Sequence, residues 1–126
     1  MREYGEMKLQ NGNYYRGQFM NDLPHGEGIL IFASGNIFKG QFTNGSCSSL
    51  GRLLYPNGDI YFGQHRNFMK EGQGKMVYFN GSWYQGGYDQ DRKHGHGRMF
   101  DALTSDLYVG DFTDGKRTGH GRMLYS

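Results

Sequence analysis

Residues 15–35 read YRGQFMNDLPHGEGILIFASG, and the pattern of this stretch decides the fold of the whole chain. It begins with an aromatic-x-Gly-x-aromatic signature, continues to a Gly-x-Gly pair and ends in a Gly-containing turn. The first signature returns at residues 38–42, 61–65, 84–88 and 108–112, with His65 replacing one second aromatic residue. Its central glycines lie 23 or 24 residues apart, at Gly17, Gly40, Gly63, Gly86 and Gly110. A fixed period of this length is typical of repeat architectures.

The Gly-x-Gly pair recurs in phase with the first signature. Its second glycines are Gly28, Gly51, Gly74, Gly97 and Gly121, and Ser49 replaces one first glycine. The period predicts one array with no linker, made of a half-repeat at 1–12 and repeats at approximately 13–35, 36–58, 59–81, 82–105 and 106–126.

Each repeat predicts a β-hairpin, because two β-prone segments such as ILIFA and IFKGQF flank a tight turn such as Ser34-Gly35-Asn36. Side chains alternate between the two faces of a strand, so the two aromatic residues of each first signature share one face. The rings placed there are Tyr15, Phe19, Phe38, Phe42, Tyr84, Tyr88, Tyr108 and Phe112. Since glycine weakens a strand, its recurrence predicts a slot that a neighbouring ring fills. The predicted fold is all-β, an elongated single-layer twisted antiparallel sheet of tandem hairpins.

Composition excludes several classes of protein. The chain has 22 Gly, 10 Tyr and 9 Phe among 126 residues, so aromatic side chains must supply most of the core. A formal net charge of +2 gives no reason to expect nucleic-acid binding. The sequence lacks an apolar run of 18 residues and an N-terminal signal sequence, which predicts a cytoplasmic protein. The single cysteine, Cys47, is expected to be incidental.

The HGHG stretch at residues 94–97 could be a metal or acid–base site, or two positions of the repeat. Gly95 and Gly97 form a Gly-x-Gly pair, in which His94 matches His25 and His96 matches His120. The remaining repeats hold unrelated residues at these two positions: Ser48, Glu71 and Thr118 at the first, and Glu27, Leu50 and Gln73 at the second. This favours the repeat, although His94, His96 and Asp91 could meet in a loop. No nucleophile–base pair or phosphate-binding loop stands apart from the repeat, so we expect no catalysis and no cofactor.

The face opposite the rings carries a second pattern. A cation follows the second glycine in four repeats, at Arg52, Lys75, Arg98 and Arg122. Two positions further on, the same face carries the apolar residues Ile31, Leu54, Val77, Phe100 and Leu124. These rows could bind an acidic helix, an acidic tail or an anionic lipid surface. They could equally form a solvated face whose basic stems cover apolar neighbours.

Other surfaces are also candidates for a partner. Trp83 should point away from the rings, near Val77 or Phe79, which makes it an expected anchor. A helix could lie along the aromatic face, and a strand could pair with an open edge of the sheet. The sequence stops at MLYS in mid-hairpin, so we expect a longer array or an edge covered by a partner or a second copy.

The combination of Tyr-x-Gly-x-Phe, a loop ending in His-Gly-x-Gly and a turn every 23 residues resembles the MORN repeat (membrane occupation and recognition nexus). The resemblance covers nearly the whole chain and implies a non-catalytic binding or scaffolding module. Such repeats resemble those of axonemal and radial-spoke proteins, cytoskeletal scaffolds, junctional membrane proteins and regulatory arms of larger enzymes. The leading hypothesis is a protein-interaction scaffold of a cytoskeletal or ciliary assembly. The alternatives are a peripheral module that binds anionic phospholipids and a regulatory arm of an enzyme.

Overall fold

The computed structural model describes residues 3–9 and 11–125, without the side chains of residues 48 and 49. These residues form an 11-stranded antiparallel sheet whose strand order follows the chain. The strands are β1 Glu3–Lys8, β2 Tyr14–Met20, β3 Leu23–Ile31, β4 Ile37–Thr43, β5 Ser46–Leu54, β6 Ile60–Arg66, β7 Met69–Val77, β8 Trp83–Asp89, β9 Arg92–Asp101, β10 Asp106–Thr113 and β11 Lys116–Leu124. The predicted fold class is therefore confirmed. Residues 1–2, 10 and 126 of the predicted array, and the Ser49 substitution, lie outside what is described.

Two kinds of turn alternate along the sheet. The predicted kind has a residue in the left-handed region, such as Gly35 with φ of +97° or, between β9 and β10, Ser105 with φ of +61°. At Gly35 the turn is closed by the Phe32 amide, which donates to the Asn36 carbonyl at 2.9 Å. The other kind is tighter, because only Asn21 and Asp22 separate the paired ends of β2 and β3. Both residues have positive φ, +52° and +64°, as a type I′ turn requires.

The resemblance implied a loop that ends in His-Gly-x-Gly, and this prediction is wrong for this chain. β3 runs without interruption from Leu23 to Ile31 through that segment, since the type I′ turn already reverses the chain. The irregularity that remains is a bulge, where the register with β2 shifts between Gly17 and Phe19. Gly26, the first glycine of the pair, adopts a φ of +94° there. Glycine therefore suits this position because it adopts positive φ without strain.

The second glycine of each pair leaves room for a ring, as predicted. Gly28 pairs with Gly17, and a Cβ on Gly28 would overlap the Tyr15 ring. The Tyr15 hydroxyl passes over this gap and donates to the Gln18 carbonyl at 2.7 Å. The equivalent hydroxyls, those of Tyr61, Tyr84 and Tyr108, donate to the corresponding carbonyls at 2.8 to 3.0 Å.

The core is a continuous series of edge-to-face rings, which we call the aromatic ladder. Ring centroids of successive members are 4.9 to 5.5 Å apart, with interplanar angles of 80° to 89°. This is the arrangement that the ring quadrupoles favour. In order, the members are Phe19, Tyr15, Phe42, Phe38, His65, Tyr61, Tyr88, Tyr84, Phe112 and Tyr108. Each hairpin therefore packs its rings between those of its neighbours.

Candidate functional site

The aromatic ladder leaves little apolar surface for a partner. Tyr15, Tyr61 and Tyr84 have no exposed surface, and Phe38 and Phe42 have almost none. The rings cover one another because those of one hairpin insert between those of the next. The predicted docking of a helix against these rings therefore has little to bind in the described residues, and this face serves the fold.

The middle of the ladder holds the most unusual polar groups of this face. His65 takes the place of an aromatic ring and is 5% exposed. Its Nδ1 lies 3.1 Å from the Gly63 carbonyl, while its Nε2 finds no hydrogen-bond partner among the described residues. Burial disfavours the imidazolium and lowers the pKa of His65 to about 4. The ring is therefore neutral at physiological pH.

Lys70 pairs with His65 across β6 and β7 and is almost as deeply buried. Its ammonium donates to the Tyr55 hydroxyl at 2.7 Å and lies 3.5 Å from the Asp91 carboxylate. The same ammonium lies 5.4 to 5.8 Å from the ring centres of Tyr55, Tyr61 and Tyr88. The charge is thus compensated within the protein, which explains how a lysine can be buried there.

The HGHG histidines belong to a strand of the repeat. His94 and His96 lie in β9, not in a loop, and Asp91 contacts Lys70 instead of either histidine. His96 Nδ1 lies 3.5 Å from an Asp111 carboxylate oxygen, with both side chains mostly exposed. Within residues 3–9 and 11–125, no group of three or more His, Cys, Asp or Glu residues is arranged to hold a metal ion.

Cys47 is half-buried, and its Sγ accepts a hydrogen bond from the Phe68 amide at 3.3 Å. Burial raises the pKa of this thiol, so the described geometry gives it no activation as a nucleophile.

The opposite face carries the predicted cations in a single line across the strands. Arg52, Lys75, Arg98 and Arg122 all belong to one register position, and they are all exposed. The structure adds Arg16 and Lys39, which pair with Ile29 and Arg52 in the same line. We call these residues the cationic row: Arg16, Lys39, Arg52, Lys75, Arg98 and Arg122. Sequence reasoning missed two of them because it considered only the residue after Gly-x-Gly, not the residue before the glycine of the first signature.

A second line, the apolar row, runs beside the cationic row on the same face. Cross-strand pairs join its members without interruption from β2 to β11. They are Tyr14, Ile31, Ile37, Leu54, Ile60, Val77, Trp83, Phe100, Leu107 and Leu124. The sequence predicted five of its members, Ile31, Leu54, Val77, Phe100 and Leu124. The register shows that apolar residues occupy the position on every strand from β2 to β11.

Trp83 lies on the predicted face and pairs with Val77. Its ring stacks on Phe100 at 6.0 Å with an interplanar angle of 20°, and the Lys75 ammonium lies 5.4 Å from its centre. Trp83 is therefore half-covered by its own neighbours. Phe62 is more open, at 52% exposure, with the Arg52 guanidinium 5.6 Å from its ring centre. Sequence reasoning missed Phe62, although it stands where other strands carry Arg16 or Lys39.

Among the described residues, no helix is long and apolar enough to cross a membrane. No curated protein matches the sequence closely enough to count as a relative.

Among solved structures, one similar chain is described as "SAS-4 (dCPAP) TCP domain in complex with a Proline Rich Motif of Ana2 (dSTIL) of Drosophila Melanogaster". The likeness covers 98% of this chain and 90% of that chain, at 11% sequence identity and a TM-score of 0.36. At that TM-score it supports no functional transfer.

The family comparison agrees with the repeat geometry. The MORN repeat matches residues 15–37, 38–60, 61–83, 84–102 and 108–126, which include every first signature. MORN repeats are non-catalytic modules that generally act in protein or membrane interactions. The five matches cover most of the sequence, and the chain belongs to the MORN repeat family.

Proposed function

We propose that this chain is a non-catalytic scaffold that binds protein partners in a cytoskeletal assembly of the cytoplasm, such as a ciliary axoneme. The observation that carries the proposal is the uninterrupted apolar row on the face that the aromatic ladder leaves uncovered. The cytoskeletal context rests on the resemblance to repeats of axonemal and scaffold proteins.

The apolar row is larger than a solvated sheet face requires. Monomeric soluble proteins rarely expose long contiguous apolar surfaces, and such surfaces commonly mark interaction sites. Ile31, Ile60, Val77 and Leu124 are each 38% to 48% exposed although they lie in one line. A protein partner could bury this line while pairing its acidic groups with the cationic row.

The cationic row supports a second candidate, binding to anionic phospholipid. The strength of that binding depends on how many cations reach a flat bilayer together. Neighbouring strands rotate by about 20° on average, so the face of an eleven-strand sheet turns through roughly 200°. A flat surface would then meet only two or three members of the row, each contributing about 1 kcal/mol. This favours a protein partner, which can follow a twisted surface.

Detergent extraction of ciliated cells tests the proposed function. A tagged full-length chain is expected to remain with the insoluble axonemal fraction, and a double variant, Phe62→Gln with Val77→Thr, is expected to be released from it. Leu103→Gln is the matched control, because Leu103 is 84% exposed in the turn between β9 and β10. Complete extraction of the wild-type chain, or equal retention of the double variant, would refute the proposal.

Vesicle co-sedimentation tests the second candidate. The wild-type chain is compared with a variant in which Arg52, Lys75, Arg98 and Arg122 are replaced by Ala, on phosphoinositide-containing and neutral vesicles over a salt series. A protein scaffold is expected to show no binding above the neutral control. Salt-sensitive binding that the variant loses would favour the lipid module instead.

A further inference from the structure

An open apolar part of the face opposite the ladder lies in the middle of the sheet. Leu50 is 55% exposed and Phe62 is 52% exposed, on the adjacent strands β5 and β6. Ile60 and Val77, neighbouring members of the apolar row, are 40% and 42% exposed. We call Leu50, Ile60, Phe62 and Val77 the central patch. Phe62 interrupts the line of the cationic row, so the patch reaches across both rows.

Two shallow depressions flank Phe62. One has a volume of about 390 Å³ and is lined by Leu50, Phe62, Lys39 and Arg52 among others. The other, of about 490 Å³, shares Leu50 and Phe62 with the first and also includes Lys75 in its lining. Both are open to solvent and their surfaces are mainly apolar. Apolar side chains of a partner could therefore enter on both sides of the Phe62 ring.

The charges around the central patch are mostly of one sign. Lys39 and Arg52 lie beside one depression and Lys75 lies beside the other. Glu27, in the lining of the first depression, is the acidic residue of these two linings. Most of the remaining polar lining consists of neutral glutamines, such as Gln64 and Gln73. Complementarity therefore favours a partner with carboxylates beside its apolar side chains.

The spacing of the rows matches an α-helix that crosses the strands. Strands are about 4.8 Å apart, so Ile60 and Val77 on neighbouring strands match helical residues i and i+3, which rise about 4.5 Å. Arg52 and Lys75 lie two strands apart, or about 9.6 Å, whereas one heptad of helix rises about 10.5 Å. The mismatch of about 1 Å per heptad and the twist of the sheet limit the match to about two heptads.

From the exposure, the two depressions, the charges and the spacing of the rows, we infer that the central patch binds an acidic amphipathic helix of about two heptads. Its apolar side chains occupy the depressions on either side of Phe62, and its carboxylates pair with Arg52 and Lys75. The inference rests on the proposed scaffold function and names the chemistry of the partner.

Selection from a peptide library tests this inference with the intact chain. A display library of fully randomised 18-residue peptides is enriched on the immobilised wild-type protein. Enriched peptides are expected to carry net negative charge, apolar residues at i, i+3 or i+4 and i+7, and a circular dichroism signal of helix in the complex. Enrichment of basic or non-helical peptides, or no enrichment, would overturn the inference.

Variants locate the binding site of the enriched peptides. Phe62→Gln is expected to weaken binding about tenfold or more, as removal of a central aromatic anchor commonly does. The double reversal Arg52→Glu with Lys75→Glu should abolish binding. Lys8→Glu with Lys116→Glu makes the same change of net charge at the two ends of the sheet and should leave the affinity within about twofold. Equal losses in both double variants, or unchanged affinity in Phe62→Gln, would contradict the inference.

Failure here is distinguishable from failure of the proposed function. A chain that stays with the axonemal fraction, loses this retention in the Phe62→Gln/Val77→Thr variant and enriches no acidic helix is a scaffold whose partner has another chemistry. A chain that enriches acidic helices through Phe62 but is fully extracted from cells binds such partners outside the axoneme. Phosphatidylserine vesicles form a third arm of the binding assay, and vesicle binding without peptide enrichment would overturn the inference in favour of a membrane.

Discussion

The two faces of the sheet are built from the same strands but behave differently. On β7, Met76 is 6% exposed beneath the aromatic ladder, whereas its neighbour Val77 is 42% exposed on the apolar row. On β6, Tyr61 is fully buried while Phe62 is half exposed. The period of two residues in a strand therefore separates folding from recognition. The buried face stabilises the array, and the side chains of the exposed face are free to contact a partner.

Glycine substitution in the ladder is the strongest way to break this separation. A Cβ on Gly74 would overlap the Tyr61 ring, so Gly74→Ala should lower the free energy of unfolding by about 3 kcal/mol or more. Gly115→Ala is the matched control, because Gly115 has a φ of +84° but open space around a new Cβ. This variant should lower the free energy of unfolding by only about 1 kcal/mol. Urea unfolding followed by circular dichroism measures both, and equal losses would show that crowding by the ring does not matter.

His65 offers a pH-dependent test of the same face. Because its folded pKa of about 4 lies below the unfolded value of 6.5, the unfolded chain binds more protons between these pH values, and stability falls as pH is lowered through that window. The titration of His65 alone should lower the free energy of unfolding by about 2 kcal/mol between pH 7 and pH 5. His65→Phe, which restores the aromatic residue found at Phe42 and Phe112, should remove that part of the acid sensitivity. Unfolding curves at both pH values measure it, and parallel losses in wild type and variant would contradict the burial argument.

The tyrosine hydroxyls make a smaller contribution to the free energy of unfolding. Tyr84 donates to the Gly87 carbonyl at 2.8 Å, and burial raises the pKa of Tyr84 to about 12. Tyr84→Phe should therefore cost about 1 kcal/mol, the usual net value of one hydrogen bond. Tyr4→Phe is the control, because Tyr4 is 74% exposed, and it should leave the melting temperature unchanged. Phe38 occupies the equivalent position without a hydroxyl, so the array tolerates the loss at one repeat.

The smallest effect on stability is expected on the apolar row. Val77→Thr should change the free energy of unfolding by no more than about 0.5 kcal/mol, since Thr suits a strand and the site is open to solvent. Met76→Thr, one residue earlier on the buried face, should cost about 2 kcal/mol or more. Thermal unfolding of the pair is a direct comparison of the two faces. Similar losses would mean that the apolar row is part of the core.

Much of the fold could be predicted from the sequence because the repeat fixes the strand period. The faces of Tyr15, Arg52 and Trp83 follow from alternation once the signatures are aligned. The type I′ turns were missed although Asn44-Gly45 and Asp114-Gly115 are residue pairs that such turns prefer, because the pair is not kept in every repeat. Phe68 and Asp91 stand at the second turn position of other repeats, with φ of +64° and +68°. Phe68 is held there by packing against the core, which local sequence does not reveal.

The candidate surface was only partly predictable. The cations after Gly-x-Gly were found by their shared position, whereas Arg16 and Lys39 joined them only through cross-strand pairing. Trp83 was predicted as the anchor from its size and direction. Its stacking on Phe100 and the greater exposure of Phe62 depend on side-chain conformations that no repeat pattern specifies.

By itself, the sequence determined that this protein is an array of hairpins with a ring face and a mixed basic and apolar face. That follows from two periodicities, 23 residues for the repeat and two for the strand, which need no knowledge of long-range contacts. The tertiary structure alone decided that the apolar row is unbroken from β2 to β11, that His65 and Lys70 are buried, and that Phe62 is open. The physical reason is that register and burial arise between neighbouring strands, and each depends on side chains about one repeat away.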